Sequence, residues 1–446
     1  MKHSEQSTKL SRRHFLAITG LAAAAPNFFP SSALGRDGKT APSNRIVMGV
    51  VGWGMQGPGD TKACMAHSDC QVVAACDIDK NHLKKAVETI NKQYNNQDCA
   101  AYSDYKQMMA RTDIDAVILA VPDNWHALIS IEAARNKKDI YGEKPLARTI
   151  AEQQAIVKAV QDNKRIWQTG SWQRSEKNFH YGAEIVRNGL IGKIQRVEVG
   201  LPSGHADFAG TKDKTSITAP PAELDYEKWI GPAKMEPYIQ GRLHMNWRWN
   251  YNIGGGQLLD WIGHHCDIAH WGLDFDNNGP LEIEGQGEFP PADAMWNTCT
   301  KYRINAKYPG DIEMVIAGGH SDIKGGTKWI GDKGWVWVNR GNAFESSNPD
   351  WSDSRSLPEN VRKVKLHRTE GGNPHQRNFI DCIKSRKPTV APVEAAHHSA
   401  IPGHLGLIAM MTGRKIKWDA KKEVIIGDSE ASKLLSRDYR KYYRLP

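Results

Sequence analysis

The chain has 446 residues, 40% hydrophobic and 24% charged, which is an ordinary globular composition. Its formal charge of +9 falls to about +6 when residues 1–35, with Lys2, Lys9, Arg12 and Arg13 against Glu5, are set aside, and no cluster of Lys and Arg concentrates the rest, which speaks against a nucleic-acid partner. The seven cysteines are odd in number and lack metal-ligand spacing, so buried free thiols are expected.

Residues 1–35 read as a twin-arginine export signal: Ser11-Arg12-Arg13-His14-Phe15-Leu16 opens an apolar run that ends before Pro26, and a small-residue stretch closes on Ala33-Leu34-Gly35. That run is too short for a membrane anchor, which needs roughly 20 apolar residues. No Cys near the cleavage point suggests a lipid anchor, and no later run is long and apolar enough to span. The expectation is a periplasmic protein handed folded to the twin-arginine translocase, with no stable membrane association. What remains exceeds what one core usually holds, so two domains are expected.

The apolar run 44–51 predicts a buried parallel strand leading into Gly52-Trp53-Gly54-Met55-Gln56-Gly57. The first glycine of such a loop allows a tight turn, the second lets a pyrophosphate approach the backbone, and the third lets helix pack on strand. Free N–H groups and the dipole at the helix N-terminus then favour the anion. Pro58 and Gly59 are expected to delay or kink that helix. A second strand, 70–76, ends at Asp77, about 20 residues beyond Gly57, where a carboxylate accepts hydrogen bonds from the adenosine ribose and repels a 2′-phosphate. NAD is therefore favoured over NADP, with Lys80 tempering the preference. The bland alternative is a nucleotide-free βαβ unit.

Further strands at 116–121 and 138–141 deliver the loops Pro122-Asp123-Asn124-Trp125-His126 and Gly142-Glu143-Lys144-Pro145 to the sheet edge where ligands bind. A helix over 149–163 and a strand over 165–170 close a domain spanning 44–170. From 171 to 446 a helix at 178–188 is followed by extended segments at 194–199, 281–285, 311–316 and 334–338, which predict an α/β domain with a large, mostly antiparallel open sheet. The irregular stretch 202–250, rich in Pro, Gly, Trp and His, reads as a substrate loop. Some of the 15 tryptophans suit sugar rings, although most belong to core packing.

Taken together, the glycine loop, Tyr102-Ser103-Asp104-Tyr105, Pro122-Asp123 with His126, Glu143-Lys144-Pro145, Gly254-Gly255-Gly256 leading to Asp260, His264 and Asp267, then His375 with Asn378-Phe379 and Gly413-Arg414-Lys415, resemble the Gfo/Idh/MocA family of NAD(P)-dependent sugar and polyol oxidoreductases. The resemblance covers almost all of residues 36–446. It implies a Rossmann domain followed by an α/β domain whose sheet commonly forms subunit contacts, hence a homo-oligomer. It also assigns the reaction to Lys144, Asp260 and His264. One departure is Ile262, which stands where the family has glycine, with Gly263 one residue later.

The residues allow the same assignment. Oxidising a sugar carbinol needs a base, a positioned nicotinamide and charge for the developing alkoxide. Asp260 and His264 lie four apart, so on a helix over 257–271 they share a face and the carboxylate can orient or tune the imidazole. His264 is the expected general acid/base, and Lys144 presents its ammonium to the substrate hydroxyl. Cofactor contacts are expected from Gly52, Gly54, Met55, Gln56, Gly57, Asp77, Pro122, Asn124, His126, Glu143 and Lys144. Substrate contacts are expected from Trp172, Arg174, His244, His265, Asp267 and His375. The bland readings are a solvated Glu143–Lys144 turn, a helix-pairing Asp260 and a core His264. His264, His265, Asp267 and His270 superficially resemble metal ligands, but adjacent histidines diverge on a helix and no zinc spacing fits, so no metal is expected.

Export adds a constraint. The periplasm is not expected to supply free NAD, so the cofactor must be tightly bound and recycled in place. Two schemes meet this: an oxidoreductase that oxidises one carbohydrate and reduces another acceptor, or a glycoside hydrolase acting by transient oxidation, elimination and re-reduction, one of the exceptions to two-carboxylate glycosidases. A nucleotide-binding protein without turnover is the third class, disfavoured by the presence of Lys144, Asp260 and His264.

Overall fold

The computed structural model describes residues 41–351 and 357–445; the export-signal reading falls outside them. β1 (Ile46–Val51) is buried along most of its length because both its faces are covered, which is why its sequence is continuously apolar. It is followed by α1 (Gly57–Met65), β2 (Cys70–Cys76), α2 (Lys80–Tyr94), β3 (Ala100–Tyr102), α3 (Tyr105–Met109), β4 (Ala116–Leu119), α4 (His126–Arg135), β5 (Asp139–Gly142), α5 (Ile150–Asp162) and β6 (Trp167–Thr169). The six strands pair in the order β3-β2-β1-β4-β5-β6, all parallel. The order reverses between β1 and β4, and the crevice beyond their carboxyl ends is where a sheet of this type takes its ligand.

Local signals explain the helix starts. Pro58 does not delay α1: the helix begins at Gly57 with the proline in its first turn, where its missing N–H has no intrahelical partner to lose. α5 opens on a capping box, Thr149 Oγ1 accepting from Glu152 N–H at 3.3 Å while the Glu152 carboxylate accepts from Thr149 N–H at 3.0 Å.

The second sheet has nine strands. In chain order these are β7 (Ile194–Leu201), β8 (Glu282–Glu288), β9 (Lys301–Tyr308), β10 (Ile312–Gly318), β11 (Gly326–Gly331), β12 (Gly334–Asn339), β13 (Ala343–Ser346), β14 (Ile416–Asp419) and β15 (Val424–Ile425). They are ordered β13-β12-β11-β7-β10-β9-β8-β14-β15, and only the β7–β10 pair is parallel. The helices of this half are α6 (Lys177–Arg187), α7 (Tyr226–Ile230), α8 (Gly256–Leu273), α9 (Pro374–Ser385), α10 (Val393–Thr412) and α11 (Ser429–Lys433). Ile185 of α6, Leu259 and Ile262 of α8 and Leu405 of α10 pack with Val197, Ile304, Met314 and Trp329 of the sheet into one core.

α10 was not anticipated, because Pro402, Gly403 and Gly406 break its pattern. Those glycines are what seat it. A Cβ at Gly406 would lie 2.4 Å from the Ile304 side chain, and one at Gly403 would lie 2.9 Å from Ile262. α9 and α10 also return to the parallel sheet, Phe379 and Ile380 packing with Met48, Val72 and Ile118, and Val393 and Ala396 with Val117, Ile140 and Trp167. All seven cysteines are buried and free, and no helix among the described residues is long and apolar enough to cross a membrane.

The packed interior holds several histidines neutral. Burial pushes His265 and His404 down to about 3, and His270 and His375 to about 4. Their folded pKa values lie below the unfolded value near 6.5, so their contribution is complete above pH 6.5 and is lost as pH falls through the interval from 6.5 to about 4. Each costs up to about 1.4 kcal/mol of stability per pH unit across that interval. Burial raises Asp123 and Asp267 to about 6 and also raises Asp60, Asp77 and Glu143, which works in the opposite direction, but the lowered histidines are more numerous, since burial also lowers His67, His180, His205, His244 and His264. The midpoint of denaturant unfolding should therefore drop steeply between pH 6.5 and 4; a flat profile there would contradict the assignment.

Candidate dinucleotide site and reaction centre

A cavity of about 490 Å³ opens at the β1/β4 divergence, lined by Gly52, Gly54, Met55, Gln56, Asp77, Pro122, Glu143 and Lys144 among others. Gly52 has φ +93°, and a Cβ on it would lie 2.2 Å from the Ala120 carbonyl oxygen; one on Gly57 would lie 2.1 Å from the Gly52 carbonyl oxygen. A Cβ on Gly54 would meet nothing within 4 Å. Two glycines thus close the backbone on itself while the middle one leaves room on the cavity side. Asp77, at the end of β2, accepts from Trp53 N–H at 2.7 Å and Asp79 N–H at 2.9 Å. This pins the loop to the next strand and keeps a carboxylate facing the cavity. The cradle, the adjoining helix N-terminus and the acid fit a dinucleotide.

Below the loop, burial raises both Asp60 and Glu143; the Glu143 charge pushes Asp60 up further, whereas Lys144 and a hydrogen bond with Asp60 work to lower Glu143. Gln56 donates to Asp60 at 3.0 Å, which ties the glycine loop to that pair.

Part of the stretch read as a substrate loop runs along the same cavity that Lys144 lines. Lys228, Trp229, His244, Met245, Trp247 and Arg248 line the dinucleotide cavity. Their segment is fastened to both sides of it, by Lys80 N–H to Glu223 O at 3.0 Å on one side and by Asn124 Nδ2 to Ile230 O at 2.8 Å and Trp125 Nε1 to Lys228 O at 3.0 Å on the other. The C-terminal tail completes the clamp. Arg437 bridges Glu152 at 2.8 Å and Asn124 O at 2.9 Å, Arg440 donates to Gly231 O at 2.8 Å, and Tyr442, Tyr443 and Arg444 reach the cavity wall. Asn124 is thus a fastening for the clamp rather than a wall of the cavity. His126 instead ties together the loops that follow β4 and β5, its ring nitrogens engaged by Val121 O at 2.9 Å and Pro145 O at 2.7 Å.

At the far end of β5, Lys144 Nζ donates to the Asp260 carbonyl at 2.9 Å and to its Oδ1 at 3.1 Å, and Arg248 Nε donates to the same oxygen at 2.9 Å. Burial works to raise Asp260, but the two cations outweigh it and hold the carboxyl at about 2. The carboxylate therefore orients Lys144 and Arg248. It makes no hydrogen bond to His264, contrary to the expectation from their shared face. His264 is buried, with Nδ1 unpartnered, between the edges of Trp172 and Trp261 at ring distances of 6.4 and 5.4 Å. Burial, then Lys144 and Arg340, push it well below 6.5, so it is a neutral imidazole at pH 7.

Of the two adjacent histidines, His265 points away, stacked on Trp261 at 5.8 Å and 3.3 Å from Gln173. Three other expected substrate residues are engaged internally. Arg174 forks onto Asp267 at 2.7 and 2.8 Å and onto Asp276, and His375 joins Ser175 Oγ at 2.8 Å to Thr169 O at 2.7 Å. Their polar atoms hold the second half together and are not turned to substrate. His244 stands on the cavity rim, 3.6 Å from Asp79 and beside the His82 ring. Among the described residues, the groups close enough to share a cation are Asp79–His82–His244 and His397–His398–Glu423, and neither includes the histidines of α8. Arg248, Arg340 and the tail tyrosines were missed. Arg248 lies between Trp247 and Trp249, a local clue, whereas nothing near Arg340 marks it.

A dinucleotide cradle ending in a lysine, a carboxylate and a neutral histidine defines an oxidoreductase of the Rossmann type. The chain belongs to the Gfo/Idh/MocA oxidoreductase family: residues 46–171 match its NAD-binding Rossmann fold and residues 177–445 its C-terminal alpha/beta domain. It is similar to a glycosyl hydrolase family 109 protein of Shewanella pealeana, 30% identical over 213 residues, 42% of this chain and 44% of that one. An alpha-N-acetylgalactosaminidase of Shewanella oneidensis is 28% identical over the same shares, and an inositol 2-dehydrogenase of Salmonella typhimurium is 32% identical over 151 residues, 33% of this chain and 43% of that one. The chain spans less than half the length of these curated relatives. In fold it is similar to the WlbA dehydrogenase of Bordetella pertussis, solved with NADH and UDP-GlcNAcA, at TM-score 0.61 and 16% identity over 84% of this chain and 99% of that one. It is also similar to the aldose-aldose oxidoreductase of Caulobacter crescentus, at TM-score 0.59 and 16% identity over 84% and 99%.

Two experiments probe the cradle and the clamp. Gly57→Ala forces backbone apart and should cost about 1–3 kcal/mol in thermal unfolding, whereas Gly54→Ala should leave the melting temperature nearly unchanged and weaken NAD binding at least tenfold in calorimetry. Deleting residues 441–446 should speed nucleotide release tenfold or more, read by fluorescence of bound NADH; unchanged release would mean that the tail does not retain the nucleotide.

Proposed function

We propose that this chain is an exported oxidoreductase acting on a sugar or glycoside hydroxyl, with an NAD that stays bound through successive turnovers. The observation that carries the chemistry is Lys144, fixed by Asp260 at 2.9 and 3.1 Å at the inner end of the dinucleotide cavity, beside a neutral His264 with a free ring nitrogen. When bound there, NAD supplies the hydride acceptor and donor. Lys144 presents positive charge to the substrate hydroxyl and lowers its pKa, and His264 accepts the released proton. The cations that depress His264 also favour the alkoxide, so a weakened base is matched by a more acidic substrate. Trp172 and Trp261 make the wall beside the imidazole largely apolar, at ring distances of 6.4 and 5.4 Å.

Retention is supported by the clamp, since the 202–250 stretch and the tail both close on the cavity. The twin-arginine pattern of residues 1–35 supports export of the folded, loaded protein to the periplasm, where in-place recycling is required. The open sheet is the family's usual subunit contact and supports a homo-oligomer. The second reading is an NAD-dependent glycoside hydrolase, in which a ketone on the sugar acidifies the neighbouring C–H, the glycosidic bond is eliminated, water adds and the ketone is reduced. The relatives named as a glycosyl hydrolase and an alpha-N-acetylgalactosaminidase favour it.

Mass spectrometry of the denatured, as-isolated protein should release about one NAD(H) per chain. Without added cofactor, acceptor-dependent keto-sugar formation supports the oxidoreductase, and phenol release from aryl glycosides without net redox change supports the hydrolase. Lys144→Ala and His264→Ala should each lower turnover by roughly 10² or more with nucleotide still bound. Near-normal turnover in either variant removes that residue from the reaction.

A further inference from the structure

Arg340 sits in the turn between β12 and β13, with its guanidinium 4.3 Å from the Trp261 ring and 4.8 Å from the Trp172 ring, the same two indoles that flank His264. Its side chain makes no hydrogen bond and no ion pair among the described residues, and its Nε is buried without a partner. The position is braced. Arg340 N–H donates to Asn339 Oδ1 at 2.7 Å, and the buried Asn178 of α6 donates to Asn339 O at 2.7 Å and Ala343 O at 2.8 Å, fastening both ends of the turn.

A half-buried guanidinium without a counter-ion is costly, and indole faces offset only part of that cost. With two indole rings 4.3 and 4.8 Å from its Cζ and Nε unpartnered, the group retains unused donors along a planar edge that matches two oxygens of one anion. The surrounding charge has the same bias: Lys144, Arg248 and Arg340 stand around Asp260, whose carboxylate is already engaged by the first two.

We propose that Arg340 is a specificity-determining residue that receives an anionic substituent, a carboxylate or a sulfate, on the sugar, so that the substrate class is acidic rather than neutral carbohydrate. This deepens the reading of Lys144 and His264 as the reacting groups and rests on it for the sugar's orientation. Trp172 and Trp261, the indoles beside His264, hold the guanidinium near the reacting groups, and the braced turn spares it the entropy of ordering on binding.

The test is direct binding to the NAD-loaded enzyme, read by quenching of tryptophan fluorescence, with D-glucuronate, D-glucose 6-sulfate and D-glucose as probes. At least one of the two anions should bind about 10–100-fold more tightly than glucose, and the margin should shrink as salt is raised. The tighter of the two identifies the carboxylate or the sulfate. Arg340→Met should bring the anion to within about threefold of glucose while nucleotide content and melting temperature stay near wild type. Should that variant misfold, Arg340→Lys, which keeps the charge and loses the fork, should retain a reduced preference. Equal binding of all three sugars by the wild type, or a preference that survives Arg340→Met, overturns the proposal. Because the readout is binding, absence of turnover with every sugar would count against the redox reading and leave the anion preference standing.

Discussion

The contact on which the site depends is the one between Lys144 and Asp260. Lys144 lies two residues beyond the end of β5 in the parallel sheet and Asp260 lies on the helix that covers the antiparallel one, so a largely buried ion pair 3.1 Å long joins the loop that lines the dinucleotide cavity to the element that carries His264. Buried charges are tolerated only when well paired. Arg248 supplies the second partner at 2.9 Å, and the carboxylate stays ionised while both cations keep their direction. The close approach is visible at Gly263, where a Cβ would lie 3.0 Å from the Lys144 side chain. That packing explains the shifted glycine of the Asp-Trp-Ile-Gly-His stretch: Ile262 serves the core and Gly263 admits the lysine.

A second consequence concerns the histidine. Neutral at pH 7 and with Nδ1 free, His264 takes its character from burial and from nearby cations rather than from a carboxylate partner. The same cations prepare the site for developing negative charge. Asp260 therefore orients Lys144, and in the proposed reaction the acid/base pair would consist of an ammonium fixed in place and an imidazole kept uncharged.

The clamp over the dinucleotide cavity connects fold to physiology. Residues of the 202–250 stretch on one side and the tail on another line the cavity, and hydrogen bonds such as Arg437 to Glu152 and Asn124 O fasten the tail there. Such a cover suits the slow nucleotide exchange that the proposed export would require. The fastenings are mainly backbone carbonyls and buried side chains, which suits a cover that stays closed rather than a lid that cycles.

What the sequence by itself determined was local: the glycine loop, Asp77 at the end of its strand, Lys144 after another, and the spacing of Asp260 and His264 on one helix follow from short-range periodicity and turn chemistry. β9 was legible in principle from its alternating Tyr302, Ile304, Ala306 and Tyr308, whereas α10 was hidden because its glycines serve contacts with residues far away in the chain. The tertiary structure decided the partners. It turned Arg174, Asp267 and His375 inward, gave Asp260 to Lys144 instead of His264, laid part of the 202–250 stretch along the dinucleotide cavity, and set Arg340 against two indoles. Such outcomes depend on which long-range surfaces meet, and a side chain's charge or ring says what it can bind but not which neighbour reaches it first.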